Sequence, residues 1–141
     1  MKRLQILLIA AGVSIVAGGN AFAGDVKVIA NSNISASSVS SEELKRVFLA
    51  TKTSLDDGSH VEPVLEKDGP AHEAFLKDYV GKSDAALTTY YRSLVFTGKG
   101  SMPKVLASDA EVVAYVAKTK GAIGYVSAGA AVAGVKVLEV K

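Results

Sequence analysis

Residues 61–75 read VEPVLEKDGPAHEAF, and the fold turns on how this stretch divides. VEPVLE (61–66) reads as a strand, with Pro63 marking either an edge position or the strand's beginning. Glu66 to Gly69 then makes a polar turn, and Pro70 suits the first turn of a helix, where the amide that proline lacks has no intrahelical partner. Ala71, Ala74, Phe75 and Tyr79 line one face of that helix, and Gly81 ends it. A strand that passes directly into a helix is the building block of a layered α/β domain.

The flanking sequence repeats the alternation. Upstream, DVKVIA (25–30) is a β-branched strand, and the Ser-rich run 32–41 reads as a solvated connection. Ser40 and Glu43 stand in capping-box spacing. Leu44, Val47 and Phe48 follow as one apolar stripe on a helix ending near Ala50, and Asp56-Asp57-Gly58 signals a turn. Downstream, Ser83-Asp84 opens a helix with Leu87, Tyr90, Tyr91 and Leu94 at amphipathic spacing. FTGKGSMP (96–103) is a glycine-rich loop. Ser108 and Glu111 form a second capping box before the Val112, Val113, Val116, Ala117 stripe, with Lys118 and Lys120 at the helix end. AIGYV (122–126) and VKVLEV (135–140) read as strands, joined by an Ala/Gly-rich segment with the composition of a short helix. The expected fold is α/β: a mixed sheet with helices packed on it. Gly121 fits a helix C-cap, and Gly124 marks a close backbone approach. The tyrosines read as core residues with wet hydroxyls.

The N-terminus carries a separate signal. Lys2 and Arg3 precede an apolar run from Leu4 to Ala17, followed by Ala21-Phe22-Ala23. This is the order of a secretory signal peptide, residues 1–23, with cleavage expected after Ala23. The apolar run is short for a membrane span of about 20 residues. Residues 24–141 then form a single domain. Without Lys2 and Arg3, 14 cations balance 14 carboxylates, a charge unsuited to nucleic acid. The absence of cysteine rules out thiol catalysis, thiolate metal sites and disulfides.

Four segments, taken in order, resemble a known family. They are VIANSNI with SSEELKRVFLATKTSLDDG, then VEPVLEKDGPAHEAF, then VFTGKGSMPKV, and finally TKGAIGYV at 119–126. The family is the phosphate-binding subunits of ABC importers, within the type 2 periplasmic-binding-protein fold. The resemblance implies one lobe of a protein whose full-length members bind a tetrahedral oxyanion between two lobes, and the segments are similar to the second lobe. There the family presents an Asp-Gly-Ser-Gly-Thr-like run at a helix start, preceded by an Arg. This chain has Glu66-Lys67-Asp68-Gly69-Pro70-Ala71-His72, so the hydroxyl donors and the Arg have no counterpart.

Two candidate ligand sites follow. At the helix start, orphan amides and a partial positive charge suit an anion, with Lys67, Gly69, Ala71 and His72 as the binding residues. The alternative there is a plain strand-to-helix turn capped by Asp68. In the loop, Thr97, Gly98, Lys99 and Ser101 combine glycine-exposed amides with a cation; the alternative is a mobile surface turn. In the family this loop leads towards the lobe interface. His60 and His72 stand apart and do not make a metal site, no nucleophile elbow occurs, and neither a cofactor nor an enzymatic activity is expected.

The expectation is therefore a periplasmic, exported, phosphate-type binding module for a small oxyanion, serving transport or sensing. The alternative is a ligand-free structural or signalling partner protein of the cell envelope that retains the fold. Expected partners are phosphate or a similar oxyanion, and an envelope transporter or sensor protein or a second copy of the chain. No membrane insertion is expected after signal cleavage.

Overall fold

Strand β1 (Val26–Ala30) lies inside a six-stranded sheet, antiparallel to both neighbours, β5 (Ala122–Ser127) and β6 (Lys136–Val140). The computed structural model describes residues 26–67 and 69–141. The signal-peptide reading and the Asp68 cap fall outside the described residues. β3 (Glu62–Glu66) runs parallel to β5, and β4 (Lys104–Leu106) runs parallel to β3. β2 (Ser38–Val39) pairs in parallel with β6, giving the order β2-β6-β1-β5-β3-β4. The sheet is mixed, as the sequence implied.

The period-2 alternation of the strands divides the core between the two faces. On one face Val28, Ala30, Leu65, Ile123 and Tyr125 meet α1 (Ser41–Phe48), α2 (Pro70–Phe75) and α3 (Asp84–Phe96). On the other, Ile29, Val64, Ala122 and Val126 meet Val112 and Val116 of α4 (Asp109–Lys118). Stacking tightens the first face. The Phe75 and Tyr125 rings lie 4.0 Å apart and nearly parallel, and Phe48 meets Phe75 edge-on at 4.7 Å. Each such buried ring contributes about 1.5–3 kcal/mol of burial energy.

The helix starts read from the sequence are present. The hydroxyls of Ser40, Ser83 and Ser108 each accept a backbone N–H in the first turn of α1, α3 and α4. Neither capping box closes reciprocally: the Glu43 carboxylate instead accepts the Asp56 amide at 2.8 Å, and Glu111 accepts from Ala107. α2 widens into a π-helical turn, Leu76–Val80, before Gly81 adopts a left-handed conformation.

Two expectations change, and two points gain detail. The Ser-rich connection contains β2 and buries Ile34. Pro63, second residue of β3, stands at the strand's beginning, one of the two positions the sequence allowed, and pairs with Ile123 of β5 before the β4 register starts at Val64. Residues 128–135 form turns rather than a helix, with Gly134 at φ +81°. The stretch after the glycine-rich loop forms β4. Gly124 does mark a close approach, since a Cβ there would lie 3.1 Å from Val112 Cγ1.

Candidate functional site

β3 and β4 run parallel and end side by side, and α2 begins just beyond β3. In α/β sheets this is where ligands collect, outside the carboxyl ends of parallel strands. A cleft of about 200 Å³ opens there, lined by Glu66 and Lys67 from the strand end, His72 from α2, Asp84, Thr88 and Tyr91 from α3, and Met102 and Val105. Larger grooves of about 460 and 300 Å³ lie elsewhere, one over the π-helical turn and the start of α3, the other along residues 36–40 and 55–57. Neither contains the end of β3 or a residue of the candidate set.

The cleft floor is a chain of hydrogen bonds through His72, which is only 2 % exposed. Its Nε2–H donates to Asp84 Oδ1 at 2.7 Å. The Tyr125 hydroxyl pairs with Nδ1 on the other side. That hydroxyl also accepts the backbone N–H of Glu66 at 3.0 Å. Burial pushes the Tyr125 phenol above its ordinary pKa, against the opposing effect of the hydrogen bond from the Glu66 backbone. The hydroxyls of Tyr125 and Tyr91 are therefore dry and internally bonded, Tyr91 donating to the Phe48 carbonyl, which corrects the expectation of wet ones. Four segments (the end of β3, α2, the start of α3, and β5) are thus fixed to one another through the side chains of His72, Asp84 and Tyr125.

Glu66 adds an unusual group. Burial, then a hydrogen bond and charge repulsion from Asp109, push its carboxyl up to about 8, so it holds a proton at neutral pH. Its Oε2 is buried and receives no hydrogen bond, a further cost to the ionised form. For Asp109, burial pushes the carboxyl up, but the Glu66 hydrogen bond and those from Ser127 outweigh it and hold the group below its ordinary value.

The candidate residues are dispersed across this geometry. Lys67 and His72 both line the cleft, with Lys67 exposed at its rim and His72 fully engaged below. Gly69 is half-buried at the N-cap of α2, and Ala71 is buried in its first turn. Thr97, Gly98, Lys99 and Ser101 are exposed and do not line the cleft. The amides of Thr97, Gly98 and Lys99 donate back to the carbonyls of Ser93, Val95 and Leu94, so this part of the loop closes the C-terminus of α3, with Gly98 at φ +71°. Sequence reasoning did not find Tyr125, Asp84, Glu66 or Asp109 as parts of the site. The available signal for Glu66 was its position as the last strand residue before the helix start. Among the described residues no group of three or more His, Cys, Asp or Glu could hold a metal ion, and no helix is long and apolar enough to cross a membrane.

Comparison with solved structures gives the fold a context. The chain is similar to a phosphate ABC transporter substrate-binding protein with bound phosphate from Clostridium perfringens, at 19% identity and TM-score 0.62, over 83% of this chain and 45% of that one. It is similar to an ABC-type phosphate transport receptor from Vibrio cholerae at 14% identity and TM-score 0.55, over 83% and 46% of the two chains. PstS from Borrelia burgdorferi matches at 13% identity and TM-score 0.62, over 84% and 47%. No family model matches the chain, and no curated protein matches it. At these identities the likeness establishes the fold, which is periplasmic-binding-protein-like, and the chain spans less than half the length of each of these proteins.

Proposed function

We propose that this protein is an exported binding module that captures phosphate or a closely related small oxyanion in the cleft at the end of β3. One observation carries the reading: in a fold shared with a solved phosphate-bound protein, the cleft lies where the carboxyl end of β3 meets the amino end of α2. Amides at such a helix start and a lysine at the rim provide donors and positive potential for an anion. The cleft, about 200 Å³, has ample room for a tetrahedral ion. Glu66 is protonated, and the Asp84 carboxylate that also lines the cleft is hydrogen-bonded to His72. Export follows the 1–23 signal reading, with removal after Ala23.

Thermal unfolding in phosphate, sulfate and chloride-matched buffers tests this. A ligand at 100 times its Kd stabilises the native state by about 2.7 kcal/mol, a shift of several degrees for a domain of this size. Selective stabilisation by phosphate or sulfate supports the reading. No shift at millimolar anion refutes it. A second reading, a ligand-free partner protein of the envelope, is favoured by a different observation: Val95, Phe96, Met102 and Val105 are all exposed on one stretch of chain.

A further inference from the structure

β4 is the last strand of the sheet, and its register is with β3 alone: Val64 with Lys104, Leu65 with Val105, Glu66 with Leu106. Its outer edge is a template for another strand. The alternation along β4 gives this edge two distinct sides. Lys104 lies over the Tyr115 ring of α4 at 5.3 Å, and Leu106 packs into the α4 cluster. Val105, 49 % exposed, points the other way and lines the cleft beside Met102. Thr88 of α3 lines the same cleft, and Arg92, Val95 and Phe96 follow it at i+4, i+7 and i+8, on the same side of the helix. Phe96 is 92 % exposed. Among the described residues, every exposed large apolar side chain falls between Val95 and Val105.

Carboxylates stand at two borders of this surface, Asp84 in the cleft and Glu111 on the Ala107 amide just past β4, but the segment that carries the exposed apolar side chains is purely cationic. Residues 85–108 contain Arg92, Lys99 and Lys104 and no Asp or Glu. Pairing with a second copy through this edge would set these cations against themselves, and an edge lysine is a common natural obstacle to such pairing. A lipid surface would satisfy Phe96 and the cations but would leave the backbone groups of the strand edge without hydrogen-bond partners. An extended polypeptide satisfies all three features. Its backbone adds to β4, alternate apolar side chains cover Val105, Met102 and Phe96, and its carboxylates meet Arg92 and Lys99.

We infer that the β4 edge and the adjoining end of α3 form a docking site for an extended acidic–apolar segment of another protein, taken up as an added strand. This surface borders the proposed anion cleft, since Val105 and Met102 line its wall, so the peptide measurements are made in phosphate-free buffer, where their outcome does not depend on whether phosphate binds. The test uses fluorescence anisotropy of the purified protein with a short labelled peptide alternating glutamate with valine and phenylalanine. A control peptide carries lysine in place of each glutamate. The acidic peptide binds, and the lysine peptide does not. Phe96→Ser, on a side chain too exposed to disturb folding, weakens binding about tenfold or more, and the Arg92→Glu, Lys99→Glu double variant removes it while circular dichroism stays unchanged. Three results each overturn the inference: no binding of the acidic peptide, equal binding of both peptides, or binding that Phe96→Ser leaves intact. Association with phosphatidylglycerol vesicles without peptide binding would assign the surface to lipid instead. A dimer in sedimentation that Phe96→Ser dissolves would assign it to a second copy.

Discussion

His72 Nε2 lies 2.7 Å from Asp84 Oδ1, and this contact ties the first turn of α2 to the first residue of α3 across the floor of the cleft. The carboxylate also sits at a helix start, where the dipole favours negative charge. The imidazole is buried and its other nitrogen is occupied by Tyr125, so His72 holds the walls of the cleft in register.

His72→Ala should therefore destabilise the fold by about 2–3 kcal/mol, because it leaves the Tyr125 hydroxyl without a partner and opens a void. Urea denaturation measures this. A loss below about 0.5 kcal/mol would show that the network is not structural.

Tyr125→Phe keeps the stacked ring but removes the hydroxyl that pairs with His72 and accepts the Glu66 amide. The expected cost is about 1–2 kcal/mol. In a double-mutant cycle with His72→Ala the two losses should fall short of additivity by about 1 kcal/mol. Strict additivity would contradict the shared network.

Stability should depend on Glu66. Its carboxyl titrates at about 8 in the folded chain against an ordinary 4.5, so between these values the folded state holds a proton that the unfolded state has lost. Stability attributable to Glu66 is then full below about pH 4.5 and falls as pH rises towards 8, levelling above it. The groups facing Glu66 are Asp109 from α4 and Tyr125 from β5. Asp109, lowered in the fold, acts at the other end, losing its contribution as pH falls through its folded value. Glu66→Gln should flatten the decline in melting temperature between about pH 5 and pH 9. An unchanged slope would place the proton elsewhere.

Gly121 has φ +80°, and a Cβ there would stand 2.9 Å from the His60 carbonyl oxygen. Gly121→Ala should cost about 2 kcal/mol or more, since both the backbone conformation and the contact oppose it. A melting temperature equal to that of the parent protein would contradict this reading of the α4–β5 junction.

The helices were legible because each announces itself locally. Ser40, Ser83 and Ser108 cap their own first turns, and the Leu87–Tyr91 and Val112–Val116 pairs fall on buried stripes. The strands β2 and β4, of two and three residues, are too short to display a period, and only the neighbouring β6 and β3 define them. Likewise the α2 start could be read from Pro70, whereas the role of His72 could not. Its partners Asp84 and Tyr125 lie 12 and 53 residues away, and only the fold brings them together. The glycine-rich loop illustrates the opposite error. Its composition fits an anion nest, but Thr97, Gly98 and Lys99 direct their amides into the end of α3.

Amide chemical-shift mapping of the ¹⁵N-labelled protein during a phosphate titration tests the central claim most directly. Saturable shifts concentrated at Lys67, Gly69, Ala71 and His72, and lost in Lys67→Ala, are the predicted result. No shifts, or shifts that avoid the start of α2, would contradict capture of an oxyanion at the end of β3.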